Sequence, residues 1–150
     1  MKPALHSVAL LLIAAIGIGA TGPTNDRWVS KLRLAPDLVV VVSEGDLEPR
    51  STGTFTVRAY RADAAAERKG FELDAYLGGA LCQRDGVVES VSSGDIDGDG
   101  RPEVIVAVRS AGSGGWLSGV ALAVRGSQVE IVARAEDLPA GADLVRALRR

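Results

Sequence analysis

Two loops carry the side chains whose types and spacing could do chemistry, and the first of them is acidic. This acidic loop, residues 95–103, places Asp95, Asp97 and Asp99 at alternate positions and ends with Glu103. Alternate carboxylates converge when the chain curls, and the intervening glycines permit a sharp turn. Hard cations such as calcium find their oxygen ligands in patterns of this kind. The four acidic residues are therefore candidate calcium ligands.

The acidic loop differs from a complete EF-hand, and two interpretations stay open. Val106 stands at the twelfth position, where an EF-hand has a bidentate glutamate, and a strand pattern follows instead of a helix. The spacing resembles the shorter calcium loops of integrin-type repeats and dockerin-like modules. The other interpretation is a polar turn in which Asp and Gly serve turn geometry alone. Carboxylates this close repel one another unless a cation or backbone amides neutralise them.

The second loop, residues 110–116, consists of small residues and ends in an aromatic one, and we call it the small-residue loop. No helix pattern follows it, so the amide cluster and dipole with which glycine-rich loops bind phosphate are missing. Trp116 either anchors the loop to the core or, with the Ser113 hydroxyl, makes it a narrow recognition finger. The candidate binding residues are Ser110, Gly112, Ser113, Gly114, Gly115 and Trp116.

Composition argues against enzymatic chemistry. The single histidine, His6, lies in the N-terminal leader, so the mature chain lacks the base of a Ser-His-Asp or Cys-His site and the usual catalytic zinc ligands. Cys82 is the single cysteine and is predicted to be a small buried hydrophobe. The formal net charge is −2, and without a basic stripe we expect no nucleic-acid partner. We predict a non-enzyme that requires no cofactor, with calcium as the one candidate ligand.

Residues 1–20 are predicted to be a secretory signal peptide. Lys2 supplies a positive start, residues 8–18 form an apolar stretch, and small residues precede Thr21, the predicted first mature residue. The apolar stretch is short for a membrane span, although an uncleaved anchor is the alternative. We expect an exported protein, periplasmic or secreted, that is not bound to the membrane after cleavage.

The remaining chain predicts one all-β domain. Residues 104–108 are apolar without alternation, which indicates a central strand covered on both faces. Alternating patterns mark further strands, among them residues 54–60 and 71–77. We expect a lead-in over residues 21–37 with Trp28 packed on the core. A single-domain antiparallel β-sandwich of about seven or eight short strands then covers residues 38–150.

Local signals predict how some of these strands end. Asp85-Gly86 and Gly126-Ser127 are predicted two-residue hairpin turns, and Gly78-Gly79 is a predicted bulge or bend. Asp143 is a predicted cap for a short C-terminal helix.

Three blocks of the sequence resemble the bacterial periplasmic inhibitors of invertebrate-type lysozyme. They are VVVSEGDLEPRSTGTFTVRAY, DIDGDGRPEVIV and RSAGSGGWLS, in that order, within residues 39–124. The resemblance implies an antiparallel β-sandwich whose small-residue loop enters the lysozyme cleft. It also implies that Ser113 reaches the catalytic carboxylates and that Trp116 is the aromatic partner, at a position where the family commonly has Tyr.

The resemblance favours an exported inhibitor of lysozyme, most simply of the invertebrate type. The alternative is a calcium-binding adhesion or scaffold module of the integrin-repeat kind, centred on the acidic loop. Such a module should repeat its acidic motif, whereas this chain has it once. Pairing of an edge strand would also allow a homodimer.

Overall fold

The computed structural model describes residues 27–62 and 75–149 and places them in two four-stranded sheets. The strands are β1 (Val29–Ala35), β2 (Leu38–Glu44), β3 (Thr52–Arg61), β4 (Tyr76–Asp85), β5 (Val87–Gly94), β6 (Glu103–Arg109), β7 (Leu117–Arg125) and β8 (Gln128–Leu138). A short helix, α1 (Leu144–Leu148), follows β8. The predicted signal peptide, and residues 71–74 of one predicted strand, lie outside the described residues.

The predicted antiparallel β-sandwich is confirmed. The sheet orders are β1-β2-β3-β4 and β5-β6-β7-β8, and all neighbouring strands are antiparallel. Alternation explains β3, in which Phe55 and Val57 are 0 % exposed while Thr54 and Thr56 are partly exposed. The main core between the sheets includes Val40, Val42, Phe55, Val57, Cys82, Val104, Val106, Val120 and Leu122.

Strand β6 is covered on both faces, as its unbroken apolar run predicted. Val104 and Val106 join the main core, whereas Ile105 packs on the opposite face in a second cluster with Ala121 and Leu148. Each Val, Ile or Leu side chain among them contributes about 1.5–3 kcal/mol when it is fully removed from water. The second sheet is therefore packed against the first sheet on one side and against α1 on the other.

Helix α1 has the predicted Asp143 cap and covers the outer face of β6. The Asp143 carboxylate accepts a hydrogen bond from the Arg146 backbone N–H at 3.1 Å and caps the helix. Leu144 and Val145 pack against the same cluster as the buried Leu148. Five residues would not form a stable helix in isolation, so this packing is what holds α1 in place.

The expectation of a lead-in over residues 21–37 is wrong for its second half. Val29–Ala35 forms β1, an edge strand of the first sheet that pairs with β2. Its polar character follows from its edge position, because Lys31 and Arg33 are exposed on one face while Leu34 is buried on the other. Trp28, just before the strand, packs against the main core as predicted.

The Asp85-Gly86 dipeptide is not the predicted hairpin turn. It leads from β4 in the first sheet to β5 in the second, and these strands do not pair. Gly86 has a φ of 120°, and a Cβ atom there would lie 1.9 Å from the carbonyl oxygen of Arg109. Glycine is thus required because the sheets meet closely at this corner. The Gly126-Ser127 turn, in contrast, joins the paired strands β7 and β8 as predicted.

Strand β4 continues through Gly78-Gly79, and the bulge lies one residue earlier. Ala59 pairs with Gly78 and Tyr60 with Tyr76, so Leu77 is the extra residue. A Cβ atom on Gly78 would lie 2.0 Å from the carbonyl oxygen of Ser127. The glycine therefore lets the turn between β7 and β8 approach the first sheet.

A buried arginine ties the corner at Gly86 to the loop between β2 and β3. The Arg84 side chain is 2 % exposed and lies 3.7 Å from a carboxylate oxygen of Glu44, which is itself 4 % exposed. Its guanidinium also donates to the backbone carbonyls of Pro49, Arg50, Thr54 and Gly86. Glu44 in turn accepts from the Val88 backbone N–H at 2.7 Å. The buried ion pair thus lies within the first sheet, and the hydrogen bond from Val88 to Glu44 links it to the second sheet at this end.

Glu48 closes the same loop onto β3. Its carboxylate accepts from the Thr54 hydroxyl at 2.7 Å and from the Thr54 backbone N–H. These hydrogen bonds, the hydroxyl first, hold the pKa of Glu48 below its ordinary value. Because the folded-state pKa is lowered, this contribution to stability is present at neutral pH and is lost as the pH falls through that lowered pKa.

Removing the buried cation should strongly destabilise the fold. We expect Arg84→Met to reduce the free energy of unfolding by about 3–5 kcal/mol, because Glu44 then stays buried without a counter-charge. Urea denaturation measures this change. Arg101→Met is the matched control, since Arg101 pairs with Asp99 while 71 % exposed and should change stability by less than about 1 kcal/mol. Equal losses in the two variants would contradict the structural role of Arg84.

Candidate functional site

Strand β6 carries one candidate loop at each end. The acidic loop leads from β5 into β6, and the small-residue loop connects β6 to β7. Because β6 has seven residues, its rise separates the two loops by about 20 Å. The loops therefore form two distinct surfaces.

The small-residue loop is a narrow extension of the hairpin between β6 and β7. The Ser110 backbone N–H donates to the Trp116 carbonyl at 2.8 Å and closes the base of the loop. Gly115 donates to the Gly112 carbonyl at 3.5 Å and has a φ of 59°, in the left-handed region that glycine adopts most easily. Ser113 lies within the resulting turn, exposed at the tip.

The ring of Trp116 lies on its own loop and not in the core. The side chain is 49 % exposed and belongs to neither hydrophobic cluster. A Cβ atom on Gly114 would lie 2.1 Å from the Trp116 Nε1 atom, so the indole rests directly against the Gly114 backbone. The Trp116 ring therefore does not anchor the loop to the core.

A groove of about 670 Å³ runs beside Trp116. Its walls come from β3, β4, β7 and β8, and they include Thr54, Gln83, Ser118 and Arg134. The surface available around the small-residue loop is thus concave on the side of β8.

A bulge in β8 shapes the edge of this groove. Leu117 pairs with Leu138 and Gly119 with Ala135, so two residues of β8 stand opposite one residue of β7. One of the two, Asp137, has a φ of 53°, which is uncommon for a residue with a side chain. The local sequence offers no signal for this feature, because it depends on the register of two strands.

The acidic loop brings together three of the four predicted ligands. Asp95, Asp97 and Asp99 each place one carboxylate oxygen within 4.8 Å of the others. The backbone N–H groups of Gly98 and Gly100 both donate to Asp95, at 2.7 and 3.1 Å. Backbone amides thus supply part of the neutralisation that such a cluster needs.

The other two aspartates are also partnered. Asp97 accepts from the Asp99 backbone N–H at 3.1 Å and pairs with the Arg125 guanidinium at 2.8 Å. Asp99 accepts from the Arg101 backbone N–H at 2.8 Å. These contacts agree with the turn interpretation of the loop, in which Asp side chains cap backbone amides.

Glu103 is not part of the cluster, which corrects the prediction that it is a fourth ligand. It is the first residue of β6 and only 2 % exposed. Its carboxylate accepts from the Ile96 backbone N–H at 2.7 Å and so closes the acidic loop from inside. The strand pairing of β6 turns this side chain inward, which spacing along the sequence does not reveal.

The remaining predicted features concern Cys82 and the membrane. Cys82 is 3 % exposed, and burial raises the pKa of its thiol, as expected for a small core residue rather than a nucleophile. Within residues 27–62 and 75–149, no helix is long and apolar enough to cross a membrane.

A family comparison agrees with this geometry. The family described as "PliI: Periplasmic lysozyme inhibitor of I-type lysozyme" matches residues 26–150. This chain belongs to that family. Members of the family are inhibitors rather than enzymes and are periplasmic, so the predictions of family, of a non-enzyme and of location are confirmed. No curated protein sequence matches the chain.

Two crystal structures are similar to this PliI-family chain. PliI-Ah, the inhibitor of I-type lysozyme from Aeromonas hydrophila, has a TM-score of 0.69 and 36 % identity, over 80 % of this chain and 98 % of that one. Aeromonas hydrophila PliI in complex with Meretrix lusoria lysozyme has a TM-score of 0.70 and 36 % identity, over 82 % and 96 %. The relative therefore combines this fold with a direct lysozyme complex.

Sequence reasoning missed one contact to the small-residue loop. The Arg109 Nη1 atom donates to the Gly115 carbonyl at 3.3 Å. A charged residue at the end of an apolar strand looks like an ordinary strand terminus, and only the fold of the loop brings the carbonyl within its reach.

Two variants test whether the Trp116 ring must rest on the loop. Gly114→Ala should weaken inhibition of an I-type lysozyme about fivefold or more, because the new Cβ atom displaces the indole. Arg101→Ala is the control, because Arg101 is 71 % exposed in the acidic loop at the other end of β6, so inhibition should be unchanged. Inhibition constants and melting curves measure both effects, and equal losses in the two variants would refute the Trp116 contact.

Proposed function

We propose that this chain inhibits I-type lysozyme by inserting residues 113–116 into the active-site cleft, which blocks peptidoglycan hydrolysis. The observation that carries the proposal is an exposed, narrow turn with Ser113 at its tip and the half-exposed Trp116 ring beside it. The lysozyme complex of the relative from Aeromonas hydrophila supports a direct protein–protein mechanism.

The chemistry of the enzyme explains why such a loop inhibits it. Glycosidases place a pair of carboxyl groups in a groove that is shaped for sugar rings. The Ser113 hydroxyl donates a hydrogen bond to one of these carboxylates, and the Trp116 ring occupies a position where a sugar ring would stack. The substrate is excluded sterically, and no bond forms or breaks.

The absence of charge in the small-residue loop suits this target. Residues 110–116 contain no ionisable side chain, so the loop brings no negative charge to the acidic cleft. A hydrogen bond from a neutral hydroxyl to a carboxylate is charge-assisted and stronger than one between neutral groups. An uncharged tip with a hydroxyl donor therefore suits an acidic cleft.

The family resemblance implies that Tyr commonly stands where this chain has Trp116. The indole keeps a large, rigid contact area with few rotatable bonds, while an N–H donor stands in for a phenolic hydroxyl. The aromatic contact is thus retained. The side chain at this position can donate a hydrogen bond but, unlike a phenol, cannot accept one.

The inhibition assay tests the proposed site directly. Ser113→Ala and Trp116→Ala should each weaken inhibition of an I-type lysozyme by at least about 1 kcal/mol, or about fivefold, as central anchors do. Both side chains contribute little to the core, so melting temperatures should stay close to that of the parent protein.

Asp97→Asn provides the matched control at the other end of β6. The amide keeps an oxygen for the Asp99 backbone N–H, and the variant should inhibit like the parent. Undiminished inhibition by the Ser113→Ala, Trp116→Ala double variant would move the site away from this loop. I-type lysozyme that stays fully active in micromolar excess of the parent protein would refute the function itself.

We also propose that the acidic loop binds calcium weakly. Inhibition of lysozyme does not require this bound calcium. The proximity of the Asp95, Asp97 and Asp99 oxygens supports it. Competition from backbone amides and from Arg125 keeps the dissociation constant in the range of about 0.1–1 mM that is typical of extracellular modules.

Thermal unfolding in calcium tests this second proposal. At a calcium concentration about ten times the dissociation constant, stability should rise by about 1.4 kcal/mol relative to excess chelator. Asp99→Asn, which keeps the acceptor for the Arg101 backbone N–H, should reduce the increase. An identical melting curve in calcium and in chelator would contradict calcium binding and would mean that the acidic loop is only a turn.

A further inference from the structure

A single guanidinium connects the small-residue loop to the strand beside it. Arg109 is the last residue of β6, and its Nη1 atom donates to the Gly115 carbonyl at 3.3 Å. Its Nη2 atom donates to the carboxylate of Glu89 in β5. The Arg109 side chain thus spans from β5 to the turn that presents Ser113.

Glu89 reaches Arg109 because β5 is bulged at this residue. Val88 pairs with Val108 and Ser90 pairs with Ala107, which leaves Glu89 as an extra, unpaired residue. A bulge redirects the side chain that it contains and commonly lies next to a functional site. Here it directs a carboxylate toward the strand end from which the small-residue loop begins.

The pair is too exposed to matter much for global stability. The side chains of Arg109 and Glu89 are 38 % and 36 % exposed, and surface ion pairs of this kind contribute little to the free energy of unfolding. The carbonyl that Arg109 holds, however, belongs to Gly115, whose φ of 59° sets the direction of the turn. The contact therefore acts locally, on the shape of the loop.

We infer that Arg109, held by Glu89, is a positioning residue for lysozyme inhibition that keeps the small-residue loop in its binding shape before lysozyme arrives. This inference rests on the function proposed above for that loop. Three of its seven residues are glycines, which lose the most backbone freedom on ordering. A loop that is already ordered avoids that cost at binding, and its affinity rises accordingly.

Arg109→Ala should weaken inhibition of an I-type lysozyme about tenfold if the free loop then adopts its binding shape about one-tenth of the time. Its melting temperature should match that of the parent. In the free protein, NMR order parameters of the backbone amides in residues 112–116 should fall from about 0.85 to below about 0.6, while those of β6 and β7 do not change.

Four further variants make the test specific. Glu89→Ala should reproduce part of the loss, and the double variant should lose no more than Arg109→Ala alone, because the two side chains act as one unit. Arg109→Lys should recover inhibition only partly, since an ammonium lacks the fork that serves both partners. Arg125→Ala is the control, because Arg125 is 41 % exposed and paired with Asp97 at the far end of β7, and it should change neither readout.

The outcomes separate this inference from the proposed function. Arg109→Ala that inhibits like the parent overturns the inference while the function stands. Weaker inhibition with unchanged order parameters in the free loop would make Arg109 a direct contact and also overturns it, as does a parallel loss of melting temperature. A parent protein that leaves I-type lysozyme active overturns the proposed function itself.

Discussion

Burial of both faces of β6 is the constraint on which the rest of this structure depends. An apolar strand with no polar alternation must be covered on two sides, and the chain covers it with the first sheet on one side and α1 on the other. The two loops at the ends of β6 then become surface features with fixed separation and direction. The strand is rigid because its side chains are packed, so the loops are presented from a rigid base.

The charged residues of the protein divide into two groups with different physical roles. Arg84, Glu44 and Glu103 are buried, and each meets backbone groups that would otherwise be unsatisfied inside the fold. Arg125, Asp97 and their neighbours are exposed pairs that contribute little to stability. The buried group links the two sheets and closes the acidic loop, whereas we expect changes to the exposed group to leave the fold intact.

The two loops of β6 illustrate why the residues that we propose bind lysozyme need not carry charge. Backbone amides of the acidic loop donate hydrogen bonds to the carboxylates of the same loop. Little of the negative charge is therefore left for a protein partner to neutralise. The small-residue loop has no charge, an exposed hydroxyl and an exposed ring. Such groups lose little on desolvation, so a cleft that holds carboxylates can accept them without burying an unpaired ion.

Patterns of a few neighbouring residues determined the central strand at residues 104–108, the turn at Gly126-Ser127, the cap at Asp143 and the position of the small-residue loop. These features depend on local backbone geometry and on burial periodicity, both of which adjacent residues encode. The blocks shared with the lysozyme-inhibitor family added the identity of the partner.

Only the tertiary structure decided the features that depend on strand pairing. Residues 29–35 become a strand because β2 offers a partner, and Gly86 is a corner because its neighbouring strands pair elsewhere. Glu103 turns inward because β6 lies between β5 and β7, and Glu89 meets Arg109 because of a bulge in the register. The physical reason is the same in each case, because each of these contacts joins residues that strand pairing brings together. The free energy of that pairing depends on both strands and their surroundings, so no short segment of the sequence determines it.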